Sequence, residues 1–219
     1  NSKLIATGGI TLGGSTSAAG TAQLIRLVGT NDLDAGSSGT VNLLLQGASG
    51  SMKLENTLNV TGNLTINAAQ TTSNISGAIN ATGNITATDS NSITTTASIS
   101  AAGNISLTAD AGSLSVGGNL TSTGASKKIT LKATGNVSTS TSVTIQSNAG
   151  NIVFWSNSDK VAGVAGDGGQ VYLASNTSLN SQGGGIYLGG GRDDGGTDSG
   201  IPSMNGWSSM AAGDGLPDG

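Results

Sequence analysis

From Leu58 to Leu120 apolar and polar positions alternate in short runs that break at a Gly-Asn pair and then resume, and this phrase is written four times. It reads Leu58-Asn59-Val60-Thr61-Gly62-Asn63-Leu64-Thr65, then Ile79-Asn80-Ala81-Thr82-Gly83-Asn84-Ile85-Thr86, Ile99-Ser100-Ala101-Ala102-Gly103-Asn104-Ile105-Ser106 and Leu114-Ser115-Val116-Gly117-Gly118-Asn119-Leu120-Thr121. Alternation on each side of the pair predicts two short strands. Gly and Asn most easily take positive φ, so the pair predicts a sharp corner. The apolar residues sit six apart across it (58 to 64, 79 to 85, 99 to 105, 114 to 120), which keeps both strands facing inward. The phrase predicts one rung of a coil, repeated.

Weaker copies of the six-residue step lie at Leu4 to Leu12, at Val137 to Val143 and, with one extra residue, at Leu179 to Ile186. Phrase starts at 58, 79, 99, 114, 137 and 179 are 21, 20, 15, 23 and 42 apart, so most steps are one turn of about twenty residues. A third strand closes each turn: Ile129-Thr130-Leu131 and Ile152-Val153-Phe154 are 23 apart, as are Leu114 and Val137, and Leu120 and Val143. Units of this length bury an apolar face only by stacking. The expected fold is all-β: a single right-handed parallel β-helix (β-solenoid) of about ten turns of roughly 20 residues. Leu64, Ile66, Ile85, Ile105, Leu107, Leu120, Ile129, Leu131, Val143, Ile145 and Ile152 are its expected interior. At 4.7 to 4.9 Å per stacked strand, that is a rod of roughly 45 to 50 Å.

Residues 1–191 are the expected shaft, with 1–57 its less regular part. There, Leu24 to Val28 and Val41 to Leu45 read as strands separated by a polar turn from Gly29 to Gly36. Ser156 to Gly169 reads as a Gly/Asp loop. Residues 192–219, almost wholly Gly, Asp and Ser with a few apolar anchors such as Met204 and Trp207, are expected to be a cap or tail. Because Asn1 falls inside the pattern, the chain reads as a mature product or an excised piece of a longer protein.

Composition narrows the choice. Charged residues are 9% and aromatics 2%, both far below ordinary globular usage, and within the repeated phrases the glycines fall at corners between alternating stretches. A net charge of -4 with eight Lys and Arg argues against a nucleic-acid partner, because phosphate binding needs clustered positive charge. Without Cys or His there is no disulfide framework, no thiolate site and no imidazole base. No apolar run reaches the roughly 20 residues of a membrane span.

The Gly-Asn-Ile-Thr phrases continue into Gly150-Asn151-Ile152-Val153-Phe154-Trp155-Ser156, an Asp/Gly loop, Gly169-Gln170-Val171-Tyr172-Leu173 and Gly183-Gly184-Gly185-Ile186-Tyr187-Leu188-Gly189-Gly190-Gly191. Over residues 58–191 this resembles the repeat region of filamentous-haemagglutinin-like bacterial adhesins, many exported by two-partner secretion. The resemblance implies a right-handed parallel β-helix projecting from a cell surface. Secretion domains of that family typically carry Asn-Pro motifs, and this chain has none.

Candidate sites are few. Asn59, Asn63, Asn80, Asn84, Asn104, Asn119 and Asn136, with Asn74 and Asn176, stand in Asn-x-Ser/Thr sequons and are candidate glycosylation acceptors. An Asn-Ile-Thr corner creates a sequon automatically, and stacked Asn side chains also bond along a ladder. Asp193, Asp194 and Asp198, and Asp214 with Asp218, are weak candidates for oxygen ligands of calcium, against a solvated Asp/Gly turn. Tyr172 and Tyr187 lie in strand phrases and are expected to stack on neighbouring turns or to mark the end of the shaft. No cofactor is expected.

Three function classes compete. The first is an extracellular structural or adhesive shaft of a bacterial surface or filament-forming protein. It would meet other copies, or adjoining parts of a longer chain, through its N-terminal turn, and a host or cell-surface ligand elsewhere. The second is an ice-binding solenoid, raised by Thr-rich strands such as Ile93-Thr94-Thr95-Thr96; it needs a regular Thr-x-Thr array on one face. The third is a polysaccharide-active enzyme, which needs a base with metal-binding acids or paired carboxylates. Between Glu55 and Trp155 the acids are only Asp89 and Asp110, so no catalysis is expected.

Overall fold

A computed structural model describes residues 2–14, 24–27, 29–45, 51–68, 73–158 and 169–191. Over these the chain is all β and forms three parallel sheets. In each sheet a strand pairs with the strand one turn earlier and the strand one turn later, which is the topology of a parallel β-solenoid. One turn shows the plan. Ile79–Ala81 lies in the first sheet, Ile85–Asp89 in the second and Ile93–Thr95 in the third, and Ile99 then returns to the first beside Ile79. Strands of three to five residues are too short to hold together alone, so stacking does the work.

The alternation read from the sequence is what the interior needs. Ile85–Asp89 alternates buried and outward positions, and so does Ile105–Ala109. Columns of apolar residues run along the axis inside: Leu58, Ile79, Ile99, Leu120 and Ile145 in the first sheet, Leu64, Ile85, Ile105, Ile129 and Ile152 in the second. All eleven expected interior residues are at most 2% exposed.

Four expectations need correction. First, the fourth phrase lies one corner away from the register of the other three. Leu114 pairs with Ile93 in the third sheet and Leu120 with Ile99 in the first, so Gly118-Asn119 turns the corner into the first sheet, not out of it. Leu120 accordingly pairs onward with Ile145 rather than Val143. Within a turn the apolar starts run 79, 85, 93, 99, so a step of six occurs at two different corners and cannot tell them apart.

Second, Asn31–Asp34, expected as part of a turn, is a strand of the first sheet joining Ser2–Ile5 to Leu58–Thr61. Leu33 is its one apolar residue, and Asn31 takes the other inward position at 7% exposure. The strand Ser51–Leu54 was also unread. Third, the ten expected turns are not reached among the described residues, whose sheets hold eight, eight and seven strands.

Fourth, the corner glycines serve a different need. Gly62 has φ of 111°, but Gly83 and Gly103 do not take the left-handed region. A Cβ at Gly83 would stand 2.6 Å from the Gly62 carbonyl oxygen, and one at Gly103 would stand 2.7 Å from the Asn84 nitrogen. They are glycine because they stack directly on the corner of the turn before. Residues 159–168 and the whole 192–219 segment, with Asp193, Asp194, Asp198, Asp214 and Asp218, lie outside the described residues.

Candidate functional surface

The corner asparagines join successive turns. Asn84 N–H and Nδ2 both donate to Asn63 Oδ1, at 2.9 and 3.1 Å, and Asn104 N–H donates to Asn84 Oδ1 at 2.8 Å. Lys128 N–H donates to Asn104 Oδ1, Thr144 N–H to Asn119 Oδ1 and Gln170 N–H to Asn136 Oδ1, each at 2.8 Å. The corner glycines pass their own N–H groups to the turn before, Gly83 to Gly62 O at 2.8 Å and Gly103 to Gly83 O at 2.9 Å, and the asparagine oxygens satisfy N–H groups that this backbone ladder leaves over. A second ladder lies on the outer face of the first sheet: Asn80 Nδ2 donates to Asn59 Oδ1, and Asn59 Nδ2 to Asp32 Oδ1, at 3.0 and 2.8 Å.

These bonds sort the sequon asparagines by the atom a sugar would take. Nδ2 is engaged in Asn59, Asn63, Asn80 and Asn84, the Asn63 group donating to Gly39 O at 3.3 Å. Asn104, Asn119 and Asn136 are exposed and use Oδ1 for the next turn, with Nδ2 outside these ladder bonds.

The outer face of the second sheet carries two axial columns of small polar residues. One runs Thr65, Thr86, Ser106, Thr130, and the other, two residues along each strand, runs Asn67, Thr88, Thr108, Lys132. At Ile152–Ser156 the columns end, for Val153 and Trp155 take the same positions and every residue of that strand is buried. Trp155 Nε1 donates to Gly191 O at 2.6 Å, and Lys132 Nζ lies 4.5 Å from the ring centroid, a cation–π distance. The signal for this was present in the sequence: Ile-Val-Phe-Trp is an unbroken apolar run, the mark of a strand covered on both faces.

The remaining candidates are scattered. Thr95 of the Thr-rich strand is buried and Thr94 points outward, so that strand offers one outward Thr. Asp110 is exposed, whereas Asp89 faces the interior at 0% exposure. Tyr172, expected to stack, is 62% exposed at the outer face of the third sheet. The Tyr187 ring folds back over Gly185. A shallow depression of about 180 Å³ on the first sheet is lined by Lys3, Asp32, Asp34, Asn59 and Thr61. Among the described residues no three acids come together as a metal site, and no helix is long and apolar enough to cross a membrane. Comparison of the chain with family models, curated proteins and solved structures finds no match.

Proposed function

We propose that the chain is part of an extracellular structural or adhesive shaft of a bacterial surface or filament-forming protein, built as a right-handed parallel β-helix. Parallel crossovers are right-handed in about 98% of cases, which supports the hand. The carrying observation is the arrangement of the polar side chains. Over residues 58–148 many of those facing outward, the corner asparagines and Asn59 with Asn80, bond along the axis to the next turn, which stiffens a rod. Electron microscopy of the purified chain tests this: straight rods support it, and compact particles count against it. No hydrolase or lyase turnover of polysaccharides is expected, because Asp89 faces the interior and Asp110 stands apart on the surface. Turnover abolished by changing either acid would overturn that part of the reading.

The shaft reading includes its ends. Among the described residues the strand Ser2–Ile5 pairs on one side only, with Asn31–Asp34, and Leu4 and Ile5 are 44% and 59% exposed. An edge with open backbone groups and apolar side chains is a template for a further layer, supplied by adjoining chain or by another copy.

Ice binding is the second reading, and the two columns on the second sheet favour it. Thr65, Thr86, Ser106 and Thr130 share one outward column and Thr88 and Thr108 the other, beside Asn67 and Lys132, while Ile66, Ala87, Leu107 and Leu131 between the columns are inside. Thermal hysteresis abolished by Thr88→Lys, with the fold intact by circular dichroism, would establish it; no hysteresis in the parent chain would remove it.

A further inference from the structure

We propose that Asp89 is a pH-sensitive latch between two adjacent turns of the solenoid, closed when its carboxyl carries a proton and loosened when it is ionised. Asp89 ends the strand Ile85–Asp89 at an inward position, in an axial column where its neighbours are Ala68 and Ala109 and the next residue is Ala133. It is 0% exposed, so a carboxyl stands in a column of methyl groups. Its Oδ1 accepts the Asn91 N–H at 2.8 Å, which fixes the corner after the strand. Among the described residues its Oδ2 has no hydrogen-bond partner.

Ser73 supplies the other half. It belongs to the preceding turn, pairs with Ile93, is 2% exposed, and its Oγ is also without a partner. Its side chain and backbone both act on the Asp89 carboxyl. The Ser73 hydroxyl donates to Oδ2 when the carboxyl is ionised and accepts from it when it carries a proton, so a bond across the turn boundary is open to both states, and burial of the charge decides which state holds the turns together. Without the proton a charge remains among alanines, with no cation among the described residues acting on it. The strands packed on it, Asn63–Ala68, Ser73–Ile75 and Ile105–Ala109, contain no ionisable residue, and neither do residues 69–72. The charged group that bears on it is Asp110, whose like charge acts in the same direction as burial.

Burial, the largest cause, raises the carboxyl above its ordinary value of 3.8, against the lowering effect of Ser73 and the Asn91 N–H. The native state therefore holds this proton more tightly than the unfolded chain. Asp89 contributes its full stability below 3.8 and loses it as pH rises through the folded-state value.

The test compares thermal unfolding and amide exchange of the whole chain and of Asp89→Asn from acid to neutral pH, with Asp110→Asn as control. Asp89→Asn should melt higher than the parent at neutral pH, and this gain should vanish in acid. In the parent, protection of the Ser73 and Ser90 to Ser92 amides, corrected for intrinsic exchange, should fall as pH rises; in Asp89→Asn it should stay level. Asp110→Asn should keep the pH dependence at these amides. The latch is overturned if Asp89→Asn is less stable than the parent at neutral pH, or if both show the same pH dependence. If Asp89→Asn does not fold, pH-independent protection in the parent alone overturns it.

Discussion

At the scale of single residues, the interior and the ladder make different demands. Ile105 is 1% exposed between Ile85 and Ile129, so Ile105→Asp places an unpaired charge in the core and should cost roughly 4 kcal/mol or more. An unchanged melting temperature would contradict the assignment of that face. Asn84 both donates to Asn63 and accepts from Asn104, and Asn84→Ala should cost about 1 to 2 kcal/mol in denaturant unfolding. The same change at exposed Asn74, on the outer face of the third sheet, should be nearly silent. Glycan mapping of native protein offers a further check: a sugar on Asn104, Asn119 or Asn136 leaves the ladder bonds intact, whereas one on Asn59, Asn63, Asn80 or Asn84 breaks one. Mapping should therefore find any sugar on the first group, and occupancy confined to the second would show that the ladder is not needed.

At the scale of strands and corners, the short strands were legible because one face is apolar and the other is not. Ile85, Ala87 and the outward Thr86 and Thr88 state their own orientation. Which strand lies beside which was legible only where Gly-Asn marks the same corner in successive turns, as at Gly83 and Gly103. It failed at Gly118, because the step of six recurs at a second corner and residues were added before Ile129, where Ser126 takes φ of 58° and the register shifts between Thr121 and Ala125. It failed again at Asn31–Asp34, where a buried Asn and two outward acids imitate a turn. The buried carboxyl of Asp89 was equally hidden, since inward Asp breaks the pattern that identifies a strand. The corner account makes its own prediction. A methyl added at Gly118 would run into the Ala97 carbonyl of the turn before, so Gly118→Ala should cost about 1 to 3 kcal/mol by thermal melt, and a neutral result would mean the corners do not stack as described.

For the whole molecule, the end of the shaft and the order of its turns are the testable properties. Charge at Ile5 should reduce self-association through the N-terminal turn, measured by sedimentation of Ile5→Lys against the parent, and equal association would remove that surface from the account. Ile10, in the same turn, is only 4% exposed, and a charge there would unfold the turn instead. The shaft, the ladders and the two Thr columns all rest on one claim, that three strands make each turn and that Ser106 lies beside Thr130. Paired Cα atoms in neighbouring strands lie about 4.8 Å apart, within the roughly 4.4 to 6.8 Å that a disulfide spans. The chain has no cysteine of its own, so two introduced thiols report on this directly. The account predicts that Ser106→Cys with Thr130→Cys closes a disulfide under mild oxidation while Ser106→Cys with Thr121→Cys stays reduced; the reverse outcome would contradict the register and the three-sheet turn with it.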